Sequence, residues 1–352
     1  MRRSRAAGRH NAARRRAAGQ TLSVMPIIDT PHRLSLERIA RAAELIDPLF
    51  KNTPQYECEA LSHAIGAALT LKVETLNPLR SFKGRGADFF AHEHAAQLAG
   101  WTLVCASAGN FGQAMAWVCR ARGWPLVVYA STAANPLKVE RMRAMGAEVR
   151  LVGLDFDAAK QEAQRHCEDG AGVFVEDGHE AAIAEGAGTI ARELLAAPTF
   201  DTLLVPLGNG ALLTGMGRWA KAHAPQVRVI GVSALGADAM AASWRANACI
   251  AREHADTIAD GIAVRVPVPQ AVIDMRGTVD DVLLVSDDAI RSAMRLLFTH
   301  AGLVVEPAGA VGVAAVLEHP TLRSGRLATV LCGSNLTPTQ SAEWLVQKGS
   351  NT

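Results

Sequence analysis

The chain has 352 residues, and its composition, 49% hydrophobic and 20% charged, is typical of a globular protein with one large or two medium domains. Residues 1–24 hold seven arginines and no acid, whereas the rest of the chain carries 29 basic and 34 acidic residues. This mildly acidic body argues against a nucleic-acid groove. No apolar run approaches the roughly 20 residues that cross a membrane, so the sequence predicts no membrane segment.

The arginine-rich leader allows two interpretations. It is acid-free, like a mitochondrial presequence. It also lacks regular amphipathic spacing, which favours a disordered leader or a wrongly assigned start, with Met25 as the working start.

The six cysteines are scattered and form no CxxC pair. This argues against a zinc site or a disulfide framework and favours a reducing compartment. We therefore predict a cytoplasmic protein without a bound metal.

From Met25 onward, short apolar strands alternate with amphipathic helices. The predicted strands are Thr102–Ala106, Leu126–Ala130, Glu148–Val152, Gly172–Val175, Thr202–Pro206, Val227–Ser233 and Ala328–Cys332. The predicted helices are Gly112–Arg122, Pro136–Met145, Phe156–Glu168, Ala182–Leu195, Leu212–His223 and Asp287–His300. This alternation indicates an α/β fold of parallel sheets with helical cover, in two lobes. The predicted divisions are the leader (1–24), a large domain (25–100 and 179–345) and a small α/β domain inserted within it (101–178).

The motif SFKGRGA at residues 81–87 sets Lys83 among apolar and glycine residues. A lysine amine becomes a nucleophile and base when desolvation or a nearby cation lowers its pKa, and Arg85 is a candidate for that cation. By itself the motif also fits an ordinary surface lysine at the start of a helix.

Two strand-to-helix turns are candidate anion sites. ASAGNFGQ at residues 106–113 leaves helix N–H groups uncovered, which suits a carboxylate, although a glycine-rich turn with an asparagine cap is common in α/β proteins. PLGNGALLTG at residues 206–215 lets the backbone wrap closely round a phosphate. It matches neither GxxxxGK[ST] nor GxGxxG, so a phosphate monoester suits it better than a nucleotide.

Three further segments complete the pattern: ADGIAV at residues 259–264, VEPAGA at 305–310 and LCGSN at 331–335. In this order, the motifs resemble those of the fold-type II pyridoxal-phosphate enzymes, in the serine/threonine dehydratase branch. The resemblance covers roughly residues 35–340. It implies open twisted sheets in two lobes, like those of the tryptophan synthase β-subunit, with pyridoxal 5′-phosphate between the lobes and bound to the large domain.

The resemblance also implies roles for individual residues. Lys83 would hold the cofactor as a Schiff base and take the Cα proton of the substrate. The implied cofactor-binding residues are Phe82, Lys83, Asn110, Gly208, Asn209, Gly210, Ala211, Leu212, Glu306 and Cys332. The implied substrate-binding residues are Ser107, Ala108, Gly109, Asn110 and Phe111. Backbone N–H groups of the 208–212 turn would hold the cofactor phosphate.

Cys332 stands where this branch puts Ser or Cys beside the pyridine nitrogen. A neutral thiol does not keep that nitrogen protonated, so the ring is a weaker electron sink and elimination is favoured over transamination. The implied reaction is dehydration and deamination of L-threonine or L-serine to a 2-oxo acid and ammonia, with the leaving hydroxyl protonated by the cofactor phosphate. A homodimer is the family expectation.

Several residues depart from the pattern of the branch. Asn209 and Ala211 replace two glycines of the phosphate turn, and Phe111 replaces His or a small residue, which makes a bulkier 3-hydroxy amino acid an alternative substrate. Ala108 stands where serine racemases have a second base, which argues against racemisation. Ser233 and Ala239 replace metal-binding carboxylates of relatives, and Asp238 alone makes a poor cation site.

Three functions therefore stand. The first is the β-eliminating lyase. The second is a β- or γ-replacement or another elimination on the same fold, which a condensed amino acid formed with an added thiol would reveal. The third is a non-catalytic binding or regulatory protein, which would be colourless with added pyridoxal phosphate.

Overall fold

The computed structural model describes residues 32–107, 109–168, 170–197 and 199–346. The α-helices within these ranges are α1 (Leu36–Leu45), α2 (Glu59–Ile65), α3 (Lys83–Glu93), α4 (Ala95–Leu98), α5 (Asn110–Arg122), α6 (Pro136–Ala144), α7 (Phe156–Glu168), α8 (Ala181–Leu194), α9 (Ala211–His223), α10 (Ala239–Ala246), α11 (Pro269–Asp274), α12 (Asp287–Ala301), α13 (Pro307–Glu318) and α14 (Pro338–Leu345). Short 3₁₀ helices lie at Pro48–Phe50, Leu235–Ala237, Asp260–Ile262 and Pro320–Ser324. The predicted leader, residues 1–24, lies outside the described residues.

The larger sheet has six strands. In spatial order they are β1 (Gln55–Glu57), β2 (Leu69–Val73), β10 (Leu327–Leu331), β7 (Thr202–Pro206), β8 (Arg228–Ala234) and β9 (Asp281–Val285). β1 runs antiparallel to β2, and the other neighbours are parallel. β2, β7 and β10 are buried along their whole length, as strands of a covered parallel sheet are.

The smaller sheet has four parallel strands. In spatial order they are β5 (Glu148–Leu151), β4 (Leu126–Ala130), β3 (Leu103–Ala106) and β6 (Val173–Phe174). Its strands all come from residues 103–174, and those of the larger sheet come from either side of this stretch. Both sheets belong to one compact unit that begins at Arg33, so the domain boundaries near residues 100 and 178 stay a prediction.

The predicted α/β fold with its twisted sheets is confirmed. Every predicted strand is present with its ends within one residue, and every predicted helix with its ends within two. The prediction missed β1, β2 and β9. β2 carries Lys72 near its end, which is buried and donates to Glu193 over 2.6 Å, so a charged residue interrupts the apolar pattern of the strand.

Several helices were not predicted, among them α3, which begins at Lys83 and contains Gly84 and Gly86, two residues of low helix propensity. Gly86 is required by packing. A Cβ there would lie 2.6 Å from the carbonyl oxygen of Ile183, and one on Gly186 would lie 2.8 Å from the Cα of Gly86. The backbones of α3 and α8 therefore touch, which fixes the start of α3 at the carboxyl end of the larger sheet, where Phe82 N–H donates to the Cys332 carbonyl over 3.1 Å.

The apolar core follows the two sheets. The largest buried cluster surrounds the larger sheet with α8, α9, α12 and α13, and a second joins the smaller sheet to α3 and α5. Across the described ranges, no helix is both long and apolar enough to cross a membrane.

Candidate active site

A cavity lies where the carboxyl ends of strands from both sheets meet. Ligands of open α/β sheets bind at such ends. The predicted site residues that line it are Phe82, Lys83, Ser107, Gly109, Asn110, Phe111, Gly208, Asn209, Gly210, Ala211, Leu212, Glu306 and Cys332. Ala108 lies outside the described residues. The structure thus brings these predicted residues, from five separate motifs, to one cavity, while the role of each residue stays a prediction.

Lys83 is the first residue of α3 and reaches into this cavity. The hydroxyl of Ser81, which is buried, accepts a hydrogen bond from the Lys83 N–H over 3.3 Å and anchors the turn. The Lys83 amine lies 4.7 Å from the centre of the Phe82 ring and 5.9 Å from that of Phe111. It forms an ion pair with Asp177, which sequence reasoning did not single out.

The expectation that Arg85 supplies a cation beside Lys83 is wrong. Arg85 is fully buried and is absent from the cavity lining. Its guanidinium donates to Glu74 over 2.8 and 2.9 Å and to Glu193 over 2.6 and 2.9 Å. Burial acts to lower the pKa of Arg85, but the two carboxylates outweigh it and raise the pKa. Residues two apart on a helix point to different sides, so one motif serves both the cavity and the core.

The side chain of Ser107 shapes the turn after β3 through hydrogen bonds to the backbone of that turn. The Ser107 hydroxyl oxygen accepts from the N–H groups of Gly109, over 2.9 Å, and Gly112, over 2.8 Å. Its hydrogen can still donate to a ligand. Gly109 has a φ of 148°, and a Cβ there would lie 2.1 Å from the Cδ of Lys138. The turn therefore lies directly against a buried lysine side chain, which only glycine permits.

Both polar atoms of the Asn110 side-chain amide form hydrogen bonds. Its Nδ2 donates to Glu306, and its Oδ1 accepts from Nδ2 of Asn335 over 2.9 Å. The Asn335 N–H also donates to Glu306 over 3.0 Å. Burial raises the pKa of Glu306, since its carboxyl is 1% exposed, while Lys138 acts in the opposite direction. This network joins α5, which follows β3 of the smaller sheet, to the start of α13 and the segment after β10.

Lys138 and Asp260 are two further residues of the cavity. The sequence analysis singled out the ADGIAV segment that contains Asp260 but gave this residue no role, and it did not single out Lys138. The Lys138 amine is 1% exposed and lies 2.8 Å from a carboxylate oxygen of Asp260 and 3.6 Å from one of Glu306. Burial acts to lower the pKa of Lys138, but Asp260 and Glu306 outweigh it and raise the pKa, so the amine is charged. Nothing in the local sequence marks Lys138, which sits on an ordinary helix, α6.

The position of Asp177 after a predicted strand could have marked it as a site residue. It follows β6, the neighbour of β3 in the smaller sheet, and polar turns after adjacent parallel strands meet at one edge. Applying this rule to residues 175–178, as to residues 107–110, would have found it.

The turn after β7 offers backbone donors. Gly210 has a φ of 98° and leads into α9, which begins at Ala211 without a side-chain cap. The first N–H groups of a helix have no intrahelical partner and favour an anion. One amide atom of Asn209 is buried without a partner among the described residues, and turning the amide would present its NH₂ to an anion there. A phosphate monoester fits this turn.

Comparisons with known proteins agree with this geometry. Residues 46–333 match the family described as pyridoxal-phosphate dependent enzyme. The chain belongs to this family. It is 33% identical over 304 residues to the L-threonine ammonia-lyase of Thermotoga maritima, covering 86% of this chain and 76% of that protein.

Solved structures give the same family. The chain superposes on a crystal structure of T.th. threonine deaminase with a TM-score of 0.79 and 32% identity, covering 86% of this chain and 99% of that one. It superposes on maize serine racemase with a TM-score of 0.81 and 27% identity, covering 88% and 96%.

The residues of this pyridoxal-phosphate-dependent enzyme fit its cofactor. An amine for the aldehyde, a helix N-terminus for the phosphate and a neutral group for the pyridine nitrogen all line one cavity. Cys332 is the neutral group: burial raises its pKa, and the charge of Glu306 raises it further, while Lys83 acts weakly against both. Its thiol therefore stays protonated at neutral pH.

Ser233 and Asp238, which lie where the family resemblance directs attention for metal ligands, make contacts with other protein groups. Both carboxylate oxygens of Asp238 accept from Arg252 over 2.7 Å. The Ser233 hydroxyl donates to backbone carbonyls, over 3.2 Å to Leu207 and 3.1 Å to Ala237. The described residues contain no group of three or more His, Cys, Asp or Glu that could hold a metal ion.

Proposed function

We propose that this enzyme catalyses the β-elimination of a 3-hydroxy amino acid, L-threonine or L-serine, to a 2-oxo acid and ammonia. The main observation that supports this proposal is that one cavity is lined by Lys83, the Asn110 turn, the α9 N-terminus and a neutral Cys332. Relatives called L-threonine ammonia-lyase support the substrate class.

The roles that we propose follow from the contacts. When bound, pyridoxal phosphate supplies the electron-withdrawing ring that makes the Cα–H bond of the substrate acidic. Lys83 holds the cofactor and removes the Cα proton. The N–H groups of 208–212 hold the phosphate, and Phe82 packs near the ring.

The turn at 107–111 receives the substrate. The hydroxyl of Ser107, the backbone at Gly109 and the amide of Asn110 hold the carboxylate. Glu306 keeps Asn110 in place by accepting from its amide. Phe111 is buried in the cavity wall, where its ring sets the space for the substrate side chain.

The organisation of the protein is also proposed here. Residues 101–178 form the small domain, which the origin of all four strands of the smaller sheet supports. The enzyme is a cytoplasmic homodimer, in keeping with unpaired cysteines and with the prevalence of two-fold oligomers.

The test is a screen of 3-hydroxy amino acids with the holoenzyme. Each stereoisomer of threonine, serine and 3-phenylserine is assayed for 2-oxo acid and ammonia. We expect release from an L isomer, and a preference for 3-phenylserine would select the bulkier substrate. No release from any isomer would refute the proposal, and a condensed amino acid formed with an added thiol would identify a replacement reaction.

A further inference from the structure

Asp177 is the charged partner of the Lys83 amine, and its side chain is 7% exposed. It lies in the turn after β6 and lines the same cavity as the 107–111 turn. Among the described residues that line this cavity, it is the acid in direct contact with Lys83.

Only one oxygen of Asp177 is used by that contact. The other, Oδ1, is buried and has no hydrogen-bond partner among the described residues. A buried carboxylate oxygen without a donor is destabilising, so a ligand with a donor is favoured there. The hydroxyl of a 3-hydroxy amino acid is such a donor.

The turn that carries Asp177 also packs on the phosphate turn. Gly178, with a φ of 92°, approaches so closely that a Cβ would lie 2.5 Å from the carbonyl oxygen of Asn209. Asp177 therefore occupies the region of the cavity where the cofactor phosphate, the donor expected from the family resemblance, would also lie.

We propose that Asp177, rather than the cofactor phosphate, protonates the leaving hydroxyl. Lys83 takes the Cα proton and passes a proton to Asp177 across their contact. Asp177 gives its proton to the hydroxyl oxygen as the Cβ–O bond breaks, and the electron pair of the Cα–H bond forms the Cα=Cβ bond. Water leaves, and both side chains return to their starting charges. This relay rests on the proposed elimination reaction.

The test compares two leaving groups on one skeleton in Asp177→Asn. Chloride leaves 3-chloro-L-alanine without a proton, whereas the hydroxyl of L-serine needs one. General acid catalysis contributes about 10²–10⁴-fold, so we expect kcat for L-serine to fall by at least about 100-fold and kcat for 3-chloro-L-alanine to change less than about fivefold. If the wild-type enzyme prefers threonine, threonine and its 3-chloro counterpart replace this pair.

Two variants and a binding measurement serve as controls. Glu176→Gln makes the same charge change one residue away, where the carboxylate pairs with Lys160 over 3.1 Å outside the cavity lining, and should leave the ratio of the two kcat values unchanged. Asp177→Glu keeps the carboxyl group and should restore much of that ratio. The Kd of pyridoxal phosphate for Asp177→Asn, from an absorbance titration, should stay within about threefold of wild type.

Each other result decides against the relay. Equal losses with both substrates mean that Asp177 only positions Lys83, and a matching loss of cofactor binding means that it holds the cofactor. Unchanged serine turnover leaves the phosphate as the donor. The elimination proposal itself fails separately, when the wild-type enzyme releases no 2-oxo acid.

Discussion

Two cations of one motif, Lys83 and Arg85, meet opposite surroundings. Arg85 is fully buried, and its donors reach both oxygens of Glu74 and both oxygens of Glu193. Lys83 lies at an open cavity, and its single acid, Asp177, keeps one oxygen without a partner in the described structure. A network in which every donor and acceptor is satisfied has no capacity left for a ligand. The incompletely satisfied pair is the one that can bind and exchange protons.

The largest expected effect is that of Lys83→Met on catalysis. Turnover should fall by at least about 1,000-fold, because the lysine that holds the cofactor and takes the proton is lost. The cofactor-free variant should lose less free energy of unfolding than a variant of Arg85, since Lys83 is partly exposed and pairs with one acid, whereas Arg85 is fully buried and pairs with two. Steady-state kinetics and urea unfolding measure the two quantities. A large loss of stability would abolish the contrast with Arg85.

Arg85→Met should produce the opposite pattern. Removing one partner from a buried ion network destabilises a protein by about 3–5 kcal/mol, here because Glu74 and Glu193 lose their cation. The kcat of the folded fraction should stay within about threefold. Arg291→Met, which breaks an exposed pair with Asp288, is the control and should change the free energy of unfolding by less than about 0.5 kcal/mol. A variant of normal stability and lost turnover would place Arg85 in the catalytic machinery instead.

Glu193 gives the buried network a pH signature. Burial acts to raise its pKa, but Arg85 and Lys72 outweigh it and lower the pKa to about 2, from an ordinary value of 4.5. A depressed folded-state pKa stabilises the fold above pH 4.5, and this contribution disappears as the pH falls through 2. The contribution of Glu193 to the free energy of unfolding above pH 4.5 is on the order of 3 kcal/mol. Denaturant unfolding of wild type and Glu193→Gln should differ most above pH 5 and converge toward pH 2, and a gap independent of pH would contradict the shift.

Gly210→Ala tests the cavity side through the backbone. Its φ of 98° disfavours a side chain, and the added Cβ would lie 2.8 Å from the Cβ of Ala271. We expect a loss of about 1–2 kcal/mol in the free energy of unfolding and at least about tenfold weaker binding of pyridoxal phosphate. Gly277→Ala, at a φ of 71° with open space around it, controls for the backbone cost alone and should leave cofactor binding intact. If both variants bind pyridoxal phosphate equally well, the 208–212 turn does not hold the phosphate.

The smallest effect is a difference in labelling rate. Thiolates, not thiols, react with iodoacetamide, and burial raises the pKa of Cys332. The side chain of Cys249 is exposed. Peptide mass spectrometry of the holoenzyme should show Cys332 alkylated at least about tenfold more slowly than Cys249. Fast labelling of Cys332 would mean that a thiolate lies in the cavity.

The sequence predicted most of the cavity because its motifs, taken in order, resemble those of the fold-type II pyridoxal-phosphate enzymes. This resemblance implied that Lys83, Asn110, Gly210 and Cys332 lie together. The sequence did not predict which way Arg85 points. Whether Arg85 faces the cavity or the core depends on how α3 packs against α8. No role was assigned to Asp177, Asp260 or Lys138, because their ionic partners lie about 94, 122 and 168 residues away in the chain, and local sequence does not reveal such pairs.

The contact between Gly109 and Lys138 limits how the enzyme can be redesigned. A side chain at 109 would meet Lys138, and a Cβ at Gly112 would lie 2.3 Å from the sulfur of Met142. Saturation mutagenesis of the described part of this turn should therefore be concentrated on Phe111. Smaller residues there enlarge the space for the substrate side chain while leaving the glycines that shape the backbone untouched.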